Sequence, residues 1–273
     1  MKVSAEALGA KSAHNLFGAG VDEVLLPCIG RFDDAVAKAA RIDGPVTVHT
    51  PANRIEDPAH AVECLHEHGI DSVLVVSGNP GHGRGTRTIY ELIPYFRAHG
   101  LHVSVGAYPE DYFTKTSRAH RSKSASILVD KQAYGAERII TQASFSTGNM
   151  RKWLQAVRSR GVTLPIQVGV MASLPRRMVG RFIKATRAEI FTHPRAQLAN
   201  KPNLDLVFRM MRSTMPRPER FIDAVAAMDE MGPEDGFHLF AYGTDVTSLV
   251  NAAHAARQVR EGTATVAEDV SGP

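Results

Sequence analysis

Val105-Gly106-Ala107-Tyr108-Pro109-Glu110 is a short apolar run that ends in polar groups, and Ile139-Ile140-Thr141-Gln142 repeats the pattern further along. Between them, Ser117 to Tyr134 has helical character and closes in Gly135-Ala136. The order is strand, helix, strand, with the polar chemistry at the strand ends. In parallel α/β proteins, ligands bind beyond the carboxyl ends of the strands. This reading points Tyr108, Glu110 and Gln142 into one pocket.

Working outward from that unit, eight strand-like runs can be counted: Lys2–Glu6, Glu23–Ile29, Val46–His49, Ser72–Val76, His102–Tyr108, Glu137–Gln142, Pro165–Val170 and Phe237–Tyr242. Most carry Val and Ile on both faces, as strands covered by helices do. Stretches of helical period separate them: Phe32–Arg41, Pro58–His68, Thr88–His99, Met150–Arg160 and Asp245–Val259. Gly69, Gly100, Gly135 and Gly161 stand where a helix gives way to the next strand, the usual place for a left-handed stop. The pattern predicts a single (β/α)8 barrel over residues 1–260. The segment 179–231 exceeds one crossover and should hold two or three extra helices between strands 7 and 8, interrupted by Pro194, Pro202, Pro216 and Pro218. Residues 261–273 read as a disordered tail.

The chain has 273 residues, 44% hydrophobic and 22% charged, which suits one domain with a sizeable core. Its net charge of +4 is spread along the sequence, with a modest cluster from Arg118 to Lys123. Solvated helix faces account for such a bias, and so would a pocket that receives anions. No nucleic-acid-binding motif accompanies it. Cys28 and Cys64 have neither C-x-x-C nor metal-ligand spacing, so both are expected to be reduced and the protein cytoplasmic. The expectation includes no signal peptide and no membrane span.

Several polar residues sit where barrel chemistry would. Glu6 ends the first strand, Val3-Ser4-Ala5-Glu6. A carboxylate there is costly unless it faces the pocket mouth, where it could hold a raised pKa and donate a proton. A salt-bridged rim residue is the competing reading. His49 ends the third strand and could equally be a satisfied rim histidine. The fourth strand runs into Ser77-Gly78-Asn79-Pro80-Gly81-His82-Gly83-Arg84-Gly85, a glycine-rich loop that lets backbone approach a flat or phosphorylated ligand. It matches neither a P-loop nor G-x-G-x-x-G. Gln142 offers the donor and acceptor pair of a primary amide. Lys131 on its own reads as a helix lysine. His66-Glu67-His68 lies in a predicted helix, where i and i+2 do not share a face, so it is a poor metal pair.

Taken in order, these motifs resemble the methylenetetrahydrofolate reductase family over residues 3–255, most firmly over 102–171. Ser4-Ala5-Glu6 aligns with the family's Ser-Phe-Glu, whose Glu is the proton donor, although Leu8-Gly9-Ala10 replaces the following Phe-Pro-Pro. Tyr108-Pro109-Glu110 matches Tyr-Pro-Glu, and Thr141-Gln142 matches the Thr-Gln whose Gln reads the pterin. Pro165-Ile166-Gln167-Val168-Gly169 and Gly236-Phe237-His238-Leu239-Phe240 resemble the family's seventh and eighth strands.

The resemblance implies an oxidoreductase that interconverts 5,10-methylenetetrahydrofolate and 5-methyltetrahydrofolate. Glu6 would be its acid, and Gln142, Asn79 and Glu110 would meet the folate. It also implies FAD, near His49, Gly78, Tyr108, Tyr112 and Lys131, with NAD(P)H as co-substrate. Four positions depart from the flavin pattern: Ser77 stands for Arg, Asn79 for Asp, Tyr112 for His and Ser124 for Asp. Hydride taken directly from a dihydronicotinamide, or from a deazaflavin, is compatible with those losses. Tetrahydrofolate derivatives are the implied partners, and a homo-oligomer is compatible with the pattern. A folate-binding barrel without redox activity, associated with one-carbon or methyltransferase metabolism, is the rival reading. Retention of Glu6 speaks against it, because a pure binder needs no proton donor.

Overall fold

The computed structural model describes residues 1–78, 85–109, 118–144, 146–172, 217–241 and 245–270, without the side chains of 118–124 and 260–270. Eight strands close into one barrel: β1 Val3–Glu6, β2 Glu23–Leu26, β3 Val46–Pro51, β4 Ser72–Val76, β5 His102–Ala107, β6 Arg138–Ala143, β7 Ile166–Met171 and β8 Gly236–Phe240. Each strand runs parallel to its neighbour, and β8 returns to β1 through Ser4 beside His238. The predicted (β/α)8 barrel is therefore the observed fold.

The described helices are α1 Ala10–Gly18, α2 Phe32–Ala39, α3 Pro58–Glu67, α4 Ile89–Ala98, α5 Arg118–Ala133, α6 Thr147–Arg158, α7 Pro218–Ala226 and α8 Thr247–Val270. Their boundaries are local chemistry. Asp57 caps α3 by accepting from the Ala59 N–H at 2.9 Å, with Pro58 in the first turn. Thr88 and Glu91 form a capping box on α4, the Thr88 N–H donating to Glu91 Oε2 at 2.7 Å. The four glycines expected to stop helices have φ of 67°, 80°, 102° and 84° at Gly69, Gly100, Gly135 and Gly161. Helix faces bury Phe96, Leu92, Ile93, Trp153 and Leu154 against the outside of the barrel.

Some boundaries differ from the sequence reading. β2 ends at Leu26, three residues early, because Pro27 brings no N–H to the ladder. β3 continues to Pro51. Helix α1 has no counterpart in the periodicity, since only Ala13 and Leu16 form its buried stripe. Helix α8 passes the expected end at Val259 and reaches Val270. The tail expected to be disordered is thus helical over most of its length, and no proline interrupts it before Pro273. Helix α7 lies within the segment 179–231, while the other helices expected there fall outside the described residues.

Inside the barrel, side chains stack in layers contributed by alternate strands. The register places Glu23, Ser72 and Arg138 with Gly236 near the amino-terminal end. Ser4, Thr47, Ser104 and Gln167 come next. Above them Leu25, Leu74 and Ile140 form an apolar cluster of their own, separate from the main core, with His238 completing the layer. The following layer holds Glu6, His49, Gly106 and Gly169. Glu6 and His49 are the two side chains of that layer, so the barrel mouth has two polar walls above a largely apolar floor.

Candidate active site

The walls of that mouth are Glu6 and His49. Glu6 has no hydrogen-bond or ion-pair partner among the described residues. Burial alone pushes its carboxyl up to about 7. The salt-bridged alternative is therefore not what the structure shows. A group with that pKa is protonated in about half the molecules at neutral pH, which is the condition for proton donation.

His49 is half-buried, but its Nε2 is fully buried with no partner among the described residues. Burial lowers its pKa to about 4, so the ring is neutral. Directly below, His238 is 1% exposed and belongs to a chain that sequence reasoning did not assign. The Ser4 hydroxyl donates to Gln167 Oε1 at 2.8 Å and lies 2.9 Å from His238 Nδ1. The single hydroxyl proton is used on Gln167, so Nδ1–H of His238 donates to Ser4 and Nε2 keeps its lone pair. Burial, then the neighbouring His49 and the Arg138 charge, lower His238 to about 3, although Glu23 opposes them. The polar Ser4 in an otherwise apolar strand was the sequence signal for this chain.

Gln142 lies two residues beyond Ile140, exposed at the rim of β6. A bulge places it there: the register between β6 and β7 shifts between Ile140 and Ala143. The Gly169 N–H donates to Thr141 Oγ1 at 2.8 Å, and Thr141 Oγ1–H donates to the Gln142 carbonyl at 3.0 Å. A Cβ on Gly169 would fall 2.5 Å from the Thr141 carbonyl oxygen and 2.7 Å from that of Gln142. Glycine is required here by the bulge itself.

The other expected residues are more dispersed. Tyr108 follows β5 and is 51% exposed. Gly78 follows β4 with φ of 79° and packs so closely on Asn53 that any side chain would overlap it. Lys131 on α5 is buried behind β5, where its Nζ donates to the Gly106 carbonyl at 2.6 Å. Burial lowers its pKa to about 8. Asn79, Glu110 and Tyr112 lie outside the described residues, and no contact between Tyr108 and Gln142 is seen among the described residues.

A cavity of about 560 Å³ opens beside Glu6, between α1 and the start of α8. Its lining includes Leu8, Ser12, Asn15, Ala241, Asp245 and Thr247. Neither Tyr108 nor Gln142 lines it. Nothing in the sequence reading pointed to it, because α1 was not foreseen.

Of the residues expected near a flavin, His49, Gly78, Tyr108 and Lys131 are described, and Asn79 and Tyr112 lie outside the described residues. Lys131, the family's phosphate contact, is turned inward onto a backbone carbonyl, and Ser77 supplies no charge where the family has Arg. What remains is a pocket-mouth acid beside a neutral imidazole, over an apolar floor.

Fold and mouth together define a (β/α)8 barrel with a buried carboxyl, Glu6, at the carboxyl ends of its strands. A sequence model described as methylenetetrahydrofolate reductase matches residues 42–211, well over half of the chain. The chain belongs to the methylenetetrahydrofolate reductase family. Glu6 and His238 lie outside the matched residues.

Methylenetetrahydrofolate reductase 1 of Schizosaccharomyces pombe is 29% identical over 121 residues, covering 41% of this chain and 20% of its own. Methylenetetrahydrofolate reductase (NADH) 1 of Zea mays is 30% identical over 135 residues, covering 43% and 23%. The chain thus spans about a fifth of the length of these curated relatives. Among solved structures, a phosphoenolpyruvate phosphomutase from Streptomyces platensis subsp. rosaceus aligns with a TM-score of 0.46 at 16% identity, over 62% of this chain and 68% of its own. Among the described residues, no helix is long and apolar enough to cross a membrane.

Proposed function

We propose that the protein interconverts 5,10-methylenetetrahydrofolate and 5-methyltetrahydrofolate, with NAD(P)H as the hydride donor. The observation that carries this reading is Glu6, a carboxyl held near neutrality at the barrel mouth without a partner among the described residues.

The chemistry asks for that group. Hydride can reach the bridging carbon only after the five-membered ring opens, and opening requires a proton on the departing nitrogen. Glu6 supplies it. The resulting iminium accepts hydride and becomes the methyl group. Gln142, at the rim, offers donor and acceptor to the pterin edge. The Leu25, Leu74 and Ile140 floor excludes water below the reacting carbon, and neutral His49 adds no charge to compete with the iminium. With Lys131 turned inward, our reading has the hydride pass directly from the dihydronicotinamide to carbon, with no step through a flavin.

The test is oxidation of NADH or NADPH by the purified protein in the presence of methylenetetrahydrofolate, followed at 340 nm without added flavin. Stoichiometric formation of methyltetrahydrofolate supports the reading. Binding of folate without turnover by either donor would replace it with the non-redox barrel.

A further inference from the structure

We infer that the cavity between α1 and the start of α8 is a water-filled port through which Glu6 exchanges its proton with solvent while a folate covers the barrel mouth; this rests on the function proposed above. The reaction takes up one proton for each methylene group reduced, and Glu6 gives its proton up on the side where the substrate lies. Among the described residues, Glu6 is the one that belongs both to the mouth layer and to the cavity lining. A ring in the mouth leaves the cavity side of Glu6 open.

The shape of the cavity is that of a passage. On α1 the lining residues Ser12, Asn15, Leu16 and Ala19 recur at intervals of three and four, so the cavity follows one face of the helix. From Ser12 to Ala19 that face is about 10 Å long, at roughly 1.5 Å per residue. The passage starts at Glu6, on the carboxyl end of β1, and runs to the far end of α1, where Gly18 is exposed.

The lining suits water and protons. Ser12, Asn15 and Thr247 offer donors and acceptors along about 560 Å³, room for on the order of ten waters. The described lining carries Glu6, His14 and Asp245 and no Lys or Arg, whose positive charge would oppose an incoming proton. Asp245 stands exposed at the start of α8, and bonds from the Thr247 hydroxyl at 2.6 Å and the Thr247 N–H at 2.9 Å lower its pKa. That negative charge draws protons to the entrance. The other titratable groups about Glu6 among the described residues are His49 across the mouth and His238 below it. Burial holds both neutral, so neither carries a spare proton for Glu6.

The step balances. The departing nitrogen takes the Glu6 proton. The carboxylate left behind takes a proton from a cavity water, which takes one in turn from the next water outward. The net change is one proton drawn from solvent, with no oxidation or reduction.

A double-mixing pH jump on the full chain tests this. Methylenetetrahydrofolate is bound at pH 6, where Glu6 is mostly protonated, and the complex is then mixed at pH 8.5 with NADH or NADPH, whichever the wild type uses, for a single turnover. In the wild type Glu6 re-equilibrates through the port, so the rate should equal that of a complex formed at pH 8.5 from the outset. Asn15→Trp fills the cavity from an exposed position, and Ala19→Phe closes its far end; circular dichroism shows whether each is folded. Both should keep a memory of the first pH. Their rates after the jump should exceed those of complexes formed at pH 8.5 by about ten-fold or more, the change in protonated carboxyl expected for a pKa of about 7. A loosened α1 would speed exchange and erase the memory, the opposite sign. If both variants follow the final pH as the wild type does, or if the wild type itself remembers the first pH, the port is overturned and the proposed function stands. A wild type that turns over with neither donor overturns the function and the port together.

Discussion

Arg138 on β6 reaches across the barrel interior and closes both guanidinium nitrogens on the Glu23 carboxylate of β2, at 2.5 and 2.9 Å. The Thr47 hydroxyl donates to the same carboxylate, and Lys2 Nζ lies 2.9 Å from it. Glu23 is 3% exposed, and burial by itself would raise its pKa; Arg138, Thr47 and Lys2 outweigh burial and hold it at about 2. This network fills the amino-terminal layer of the lumen, below the site, and ties opposite walls of the barrel together.

Without Arg138 the buried Glu23 carboxylate keeps only Lys2 and Thr47, and breaking a buried pair typically costs up to about 3–5 kcal/mol. Arg138→Met should therefore destabilise the fold by roughly that amount in urea denaturation. A loss below about 1 kcal/mol would mean that water reaches Glu23 freely.

The barrel was legible because its evidence is repetitive: eight apolar runs, helices between them and glycine at the helix stops. Glu6 and Gln142 were legible because each is a polar residue ending an apolar strand. The Glu23–Arg138 pair was not, since its members are 115 positions apart and each reads alone as a surface charge. Nor was the Ser4–Gln167–His238 chain, which is created by the closure of β8 onto β1. The cavity depended on α1, whose short polar sequence carries almost no helical signal. Lys131, which alone reads as a solvated helix lysine, is instead buried and donates to the Gly106 carbonyl.

The bulge that carries Gln142 has a specific weak point. Gly169→Ala sets a methyl group against the Thr141 and Gln142 carbonyls at 2.5 and 2.7 Å. Backbone cannot yield as a side-chain tip does, so the substitution should cost about 1–3 kcal/mol. It should also weaken folate binding, because the Gln142 amide moves with the bulge. Denaturation and titration of the same variant check both. Unchanged stability and unchanged affinity together would show that the bulge can relax without consequence.

The titrating groups predict opposing slopes within one acidic window, below about pH 7. Glu6 keeps its proton in the fold up to about 7 but loses it near 4.5 when unfolded, so stability falls as pH rises between those values. Glu6→Gln removes that loss and should be the more stable protein at pH 8 by roughly 1–3 kcal/mol, with no advantage at pH 4. His49 and His238 behave in reverse. Their folded values, about 4 and about 3, lie below 6.5, so stability drains away as pH falls from 6.5 through 4. Thermal melts across pH 4–8 read both limbs. A Glu6→Gln difference that does not grow with pH would contradict the raised carboxyl.

The role given to Glu6 is tested most directly by single-turnover reduction of methylenetetrahydrofolate by wild type and Glu6→Gln, with methyltetrahydrofolate binding measured on the same samples. Gln keeps the shape and a hydrogen bond but has no proton to give. The rate should fall by about 10²- to 10⁴-fold, the usual contribution of general acid catalysis, while binding persists. A Glu6→Gln rate within a few-fold of wild type would contradict the account, because the ring would then be opening without the acid that the fold places at its mouth.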